Sequence, residues 1–178
     1  MQRTVRTAVL VGAVLAISAL KVSAQAASIQ ADLLKDWTDM KATMAKVADA
    51  MPEDKFAYKA TPAQRNYGEQ ILHVAQVNVG LLQSLGGKAA PPAIDMKATK
   101  KADALKAMAD SFDYGTALIK EQTDQTMLMA APKAPPFLGA STRARIVYFL
   151  IGHTWDIYGQ MVVYLRLNGG VPPASQRP

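Results

Sequence analysis

The chain has 178 residues, half of them apolar, with a formal net charge of +6 and no cysteine. This length fits one compact domain. The lack of thiols excludes disulfides, thiolate metal sites and cysteine nucleophiles. Basic residues are spread along the chain and do not cluster with aromatic residues, which argues against nucleic-acid binding.

The first 26 residues have the pattern of a signal peptide. Arg3 and Arg6 precede an uncharged run over residues 7–20, and small residues at alternate positions predict cleavage near Ala24 or Ala26. The apolar run is shorter than the roughly 20 residues that span a bilayer, although an uncleaved anchor is the alternative. We therefore expect export to the periplasm or the medium, without a stable membrane span in the mature protein. Removal of residues 1–26 takes away three of the positive charges and leaves +3.

Residues 27–178 are predicted to form a single all-α domain, a four-helix bundle. Apolar residues recur at spacings of three and four in four segments, and we find no convincing period-two strand. The predicted helices cover residues 28–51, a segment that begins at Thr61 or Asn66 and ends at Gly86, residues 100–127, and residues 142–168. The loop between the first two contains Phe56 and Tyr58, which we expect to pin it to the bundle.

The only two histidines lie on two of these helices. His73 is in the second helix, which is apolar on nearly every face, and His153 is on the inward face of the last helix. The spacing His153-x-x-Asp156 can place an imidazole and a carboxylate on the same metal ion. The alternative is a pair of neutral core histidines that hydrogen-bond to each other or to Gln76 or Asn78.

Two stretches resemble the DinB-like family of helical bundle proteins. The first stretch contains His153 and Tyr158-Gly159-Gln160 and continues over residues 164–175. The second is the segment over residues 62–75, which contains His73. The continuation is similar to the exported bacterial subgroup. The resemblance implies a four-helix bundle that holds zinc or nickel with three histidines, one from the second helix and two, four residues apart, from the last.

The sequence departs from this family pattern at one ligand position. His73 and His153 match the first two ligands, but Ile157 stands where the third histidine is expected, and an aliphatic side chain cannot bind a metal. Two imidazoles are fewer than the usual three protein ligands of a zinc site. Asp156 is one residue out of register and could complete the site. The predicted metal ligands are therefore His73, His153 and Asp156.

Two functions follow from these residues. One is an exported metal-dependent transferase or hydrolase that acts on a small molecule. The other is a non-catalytic binding or structural bundle whose metal site has degenerated. No phosphate-binding loop and no Ser-x-x-Lys motif offers a competing chemistry. A homodimer is plausible because the third predicted helix is amphipathic.

Overall fold

The computed structural model describes residues 27–176, which fold into helices and connecting loops. Five α-helices follow one another along this part of the chain: α1 (Ile29–Ala50), α2 (Tyr67–Leu82), α3 (Lys101–Lys120), α4 (Asp124–Leu128) and α5 (Arg143–Leu167). Helices α1, α2, α3 and α5 are long and form the bundle, whereas α4 is a five-residue helix. The prediction of an all-α four-helix bundle is confirmed.

The first two long helices are not joined as a simple hairpin. Helix α1 packs against α3 and α5, and α2 packs against the same two helices. Helices α1 and α2 therefore lie at opposite corners of the bundle, and the loop over residues 51–66 crosses one end. Phe56 in this loop is buried, and its ring meets Tyr67 edge-on at a centroid distance of 5.8 Å. This contact confirms that Phe56 pins the loop to the bundle.

The core is built around a tryptophan that the apolar stripe of α1 places inward. Trp37 is fully buried, and its ring contacts that of Phe112 at a centroid distance of 4.8 Å and an angle of 49°. Its Nε1 donates a hydrogen bond to the Phe112 carbonyl at 2.9 Å. Gly115, one turn beyond Phe112 on α3, leaves room for the indole ring. A methyl group at this glycine would lie 2.6 Å from Cε2 of Trp37. Close packing of α1 on α3 thus requires glycine at this position.

The starts of three helices are capped by side chains. Ser28 caps α1 and Thr142 caps α5. Asn66 accepts a hydrogen bond from the backbone N–H of Glu69, and the Glu69 carboxylate accepts one from the Asn66 N–H, which completes a capping box. Of the two predicted starts for the second helix, the one at Asn66 is therefore confirmed.

The third helix is shorter than predicted. The expected helix over residues 100–127 ends at Lys120, and α4 begins after Thr123. The reason is a local cap, because the Thr123 hydroxyl accepts a hydrogen bond from the Thr126 N–H and starts a new helix. The turn also brings the Asp124 carboxylate to the start of α1, where it accepts hydrogen bonds from the Ser28 hydroxyl and the Gln30 N–H.

The predicted signal peptide, residues 1–26, lies outside the described residues. No helix within residues 27–176 is long and apolar enough to cross a membrane.

Candidate functional site

A row of polar contacts joins α2 to α5. The Tyr164 hydroxyl donates a hydrogen bond to the Arg65 carbonyl at 2.9 Å, and Gln70 Nε2 donates one to Gln160 Oε1 at 2.7 Å. The third contact is a hydrogen bond between the rings of His73 and His153. Residue numbers rise along α2 as they fall along α5, so the two helices are antiparallel. We call this row the α2–α5 seam. Along α2 the glutamine pair lies one helical turn from the histidine pair, and along α5 it lies two turns away.

The seam brings the two histidines into direct contact. Their Nε2 atoms are 3.1 Å apart, and the rings are inclined at 65°. Both side chains are partly buried. One Nε2 must carry a proton and donate while the other accepts, because a hydrogen bond needs one of each. The predicted alternative, in which the two histidines hydrogen-bond to each other, is the arrangement that the structure contains.

Burial keeps both rings neutral. Burial, the positive charge of Arg65 and the neighbouring His153 lower the pKa of His73 to about 4. Burial also lowers the pKa of His153, with a smaller opposing effect from the Asp156 carboxylate and a further lowering by Arg65. Neutral imidazoles are the form that binds metal ions.

The distance between the two Nε2 atoms suits a shared metal ion. Zinc–nitrogen bonds are about 2.0–2.1 Å, so two imidazoles on one tetrahedral zinc have nitrogens roughly 3.3 Å apart. The observed 3.1 Å between His73 and His153 is close to this separation. An ion could therefore replace the hydrogen bond with little movement of either helix. The histidine pair fits a divalent metal ion as two of its ligands.

The third predicted ligand is not aligned with the histidines. The Asp156 side chain is exposed, and its Oδ2 accepts a hydrogen bond from Gln160 Nε2 at 3.1 Å. Ile157 is buried in the core, at 2% exposure. Within residues 27–176 no three His, Cys, Asp or Glu side chains are grouped so that they could hold a metal ion. The structure thus brings His73 and His153 together and leaves Asp156 beside them in another interaction.

Two glutamines of the seam were missed as site residues by sequence reasoning. Gln70 is only 1% exposed and hydrogen-bonds to Gln160 beside the histidine pair. The available signal was helical spacing, because Gln70 lies one turn before His73 and Gln160 two turns after His153.

One buried nitrogen of the pair lacks a protein partner. His153 Nδ1 makes no hydrogen bond to any of the described residues. If His153 donates from Nε2, its Nδ1 is an unpaired acceptor, and if it accepts at Nε2, its Nδ1 is an unpaired donor. Either tautomer leaves a buried polar atom unsatisfied, which is costly in a purely structural core. The histidine pair is therefore satisfied at its two Nε2 atoms and not at His153 Nδ1 within the described residues.

These observations define the class of protein: a four-helix bundle with a polar site between two antiparallel helices. The model of the DinB family matches residues 22–178, and the chain belongs to this family. It is similar to the crystal structure of a DinB-like protein from Bacillus cereus ATCC 10987, with a TM-score of 0.65 and 20% sequence identity. The match covers 82% of this chain and 96% of that chain, and it shows the shared fold. No curated protein matches the chain significantly.

Proposed function

We propose that this DinB-family protein binds one divalent transition-metal ion through Nε2 of His73 and Nε2 of His153. The observation that supports the proposal most directly is the 3.1 Å separation of these two atoms across the α2–α5 seam. Membership of a family that generally binds metal adds support. Imidazole nitrogens suit zinc and nickel, which are the ions we expect.

The proposed ion would have coordination positions left for a reactant. A zinc ion with three protein ligands keeps at least one coordination position for water or substrate. An ion held by two histidines alone has a larger number of such positions. A bound ion polarises a carbonyl or lowers the pKa of a water molecule or thiol. We therefore propose metal-dependent transfer or hydrolysis of a small molecule.

Metal titration of the metal-free chain tests the proposal. We expect one equivalent of zinc or nickel to bind the wild-type protein, as measured by calorimetry after removal of metal with a chelator. His73→Ala and His153→Ala should each abolish this binding. Gln76→Ala is a matched control, because Gln76 is exposed one turn beyond His73 on the same helix. Equal binding by wild type and His73→Ala would refute the proposal.

A second proposal is favoured by a different observation. His73 and His153 already satisfy each other's Nε2 atoms without an ion, and residues 27–176 contain no group of three His, Cys, Asp or Glu ligands. A non-catalytic bundle with a degenerate metal site fits these facts. In that case the metal-free protein would lose stability on His73→Ala, and added zinc or nickel would not raise the melting temperature of the wild type. Metal-dependent stabilisation separates the two proposals.

We also propose that the protein is exported. The support is the basic start, apolar run and small residues of positions 1–26. Mass spectrometry of protein recovered from the periplasm or the medium should give a mature chain that begins after Ala24 or Ala26. Recovery of the full-length chain in the membrane fraction would instead favour an uncleaved anchor.

A further inference from the structure

Gln70 is a buried amide with one half of its hydrogen-bonding capacity unused. The residue is 1% exposed, and its Nε2 donates to Gln160 Oε1 at 2.7 Å. Its Oε1 is buried and accepts no hydrogen bond from the described residues. A buried carbonyl oxygen without a hydrogen-bond donor destabilises the folded state. Such an atom one helical turn from His73 needs a functional explanation.

The orientation of this amide is set by a chain of hydrogen bonds that starts at Asp156. A carboxylate accepts but does not donate, so the group that Gln160 turns toward Asp156 Oδ2 must be its NH₂, at 3.1 Å. Gln160 Oε1 is therefore the acceptor that faces α2, and the NH₂ group of Gln70 donates the hydrogen bond to it. Gln70 Oε1 is consequently the atom directed away from Gln160.

Gln70 is also on the correct face of α2. It precedes His73 by three residues, which places both side chains on one face one helical turn apart. Both side chains contact α5, through Gln160 and His153 respectively. The spacing of three residues is one that bundle proteins use to place two ligands from one helix on one ion.

We propose that Gln70 Oε1 is the third protein ligand of the metal ion held by His73 and His153. This inference rests on the proposed function. Amide oxygens are established metal ligands, and two imidazole nitrogens with one oxygen form a donor set that first-row divalent ions accept. Coordination would use the buried oxygen of Gln70, which accepts no hydrogen bond from residues 27–176. The metal-dependent reaction would then not need the histidine that Ile157 replaces.

In this proposal Asp156 is a positioning residue. Its carboxylate holds Gln160, which in turn holds the Gln70 amide so that Oε1 stays free. Residues that orient a ligand in this way typically change metal affinity by roughly 10–100-fold when substituted. Substitution of Asp156 should therefore lower the metal affinity only in a protein that still has Gln70. That dependence distinguishes positioning from direct coordination.

The test is calorimetric titration of the metal-free full chain with zinc and with nickel. Gln70→Leu keeps the side-chain volume and removes the oxygen, and we expect affinity to fall by about tenfold or more. Gln70→Glu replaces the amide oxygen with a carboxylate and should raise affinity. Asp156→Ala should weaken binding in the wild type and have no effect in the Gln70→Leu background. The absorption spectrum of bound cobalt depends on the ligands and geometry of the ion, and it should change with Gln70→Leu.

Four outcomes would overturn the inference, and they can be told apart. If wild type binds no metal, both the proposed function and the role of Gln70 fail. If His73→Ala abolishes binding but Gln70→Leu and Gln70→Glu both match wild type, the metal site stands and Gln70 is not a ligand. If Asp156→Ala weakens binding equally with and without Gln70→Leu, the carboxylate binds the ion directly. If Gln70→Leu fails to fold, unchanged affinity or an unchanged cobalt spectrum in Gln70→Glu rejects the inference.

Discussion

The Nε2 atoms of His73 and His153 lie 3.1 Å apart, on two antiparallel helices. The two histidines are 80 positions apart in the sequence. This contact is held from one side by the glutamine pair and, further along, by the hydrogen bond from Tyr164 to the Arg65 carbonyl. The separation is close to that of two imidazoles on one metal ion. Ligand atoms that are already close together reduce the reorganisation needed for binding.

Ile157→His should strengthen metal binding. Position 157 is one helical turn beyond His153, and a histidine there would supply the third imidazole of the family pattern. A gain of about 100-fold in zinc or nickel affinity corresponds to roughly 2.7 kcal/mol. Chelator competition measures the change. Because Ile157 is buried, the helical content of the variant should be checked by circular dichroism. An unchanged affinity in a folded variant would show that position 157 does not face the ion.

Acid should destabilise the metal-free protein through the histidine pair. The pKa of His73 is lowered to about 4 in the folded state, below its ordinary value of 6.5. The unfolded chain therefore binds more protons between these values, and the free energy of unfolding should decrease as pH falls from 6.5 toward 4. Below pH 4 this contribution becomes constant. The expected slope for one such group is up to about 1.4 kcal/mol per pH unit.

Urea unfolding in the presence of EDTA measures this dependence. His73→Gln is the comparison, because carboxylates elsewhere titrate in both proteins. The stability difference between wild type and variant should change between pH 7 and pH 4. A constant difference over that range would contradict the lowered pKa.

Gly115→Ala should destabilise the bundle. The added methyl group would lie 2.6 Å from Cε2 and 2.8 Å from Nε1 of Trp37, a ring that is fully buried. Overpacking of this kind costs about 1–3 kcal/mol, which exceeds the gain in helix propensity. Gly80→Ala is the matched control, because the new methyl group would have no neighbour within 4 Å. The control should stabilise the protein by up to about 1 kcal/mol. Thermal unfolding that ranks the two variants in the opposite order would contradict the packing described for Trp37.

The start of α2 offers a test of its cap. Asn66→Ala removes the acceptor for the Glu69 N–H and should cost about 1 kcal/mol of stability. Thr61→Ala is the control, because Thr61 is exposed and belongs to the alternative start that the structure does not use. Chemical denaturation should show a loss only for Asn66→Ala. An equal loss in both variants would mean that the helix start is not determined by Asn66.

The fold was predictable from sequence where local signals were strong. Ser28, Asn66 and Thr142 are caps followed by apolar residues at helical spacing, so the starts of three bundle helices could be predicted. The end of α3 could not, because helical periodicity continues past Lys120 and only the weak Thr123-x-x-Thr126 cap marks the break. Homodimer formation stays a prediction.

The site was only partly predictable. The two histidines stood out by their scarcity and by the family resemblance. Asp156 was expected beside them by its spacing on the helix, but the carboxylate is held by Gln160. The role of the two glutamines depends on a contact between residues that are 90 positions apart, and helical spacing within one segment does not reveal such a contact.

The central claim is that His73 and His153 together hold one metal ion. It is tested most directly by elemental analysis of protein purified without a His tag from cells supplied with zinc and nickel. The account predicts about one equivalent of bound metal in the wild type and almost none in the His73→Ala, His153→Ala double variant. A wild type with far less than one equivalent, or a double variant with as much metal as the wild type, would contradict it.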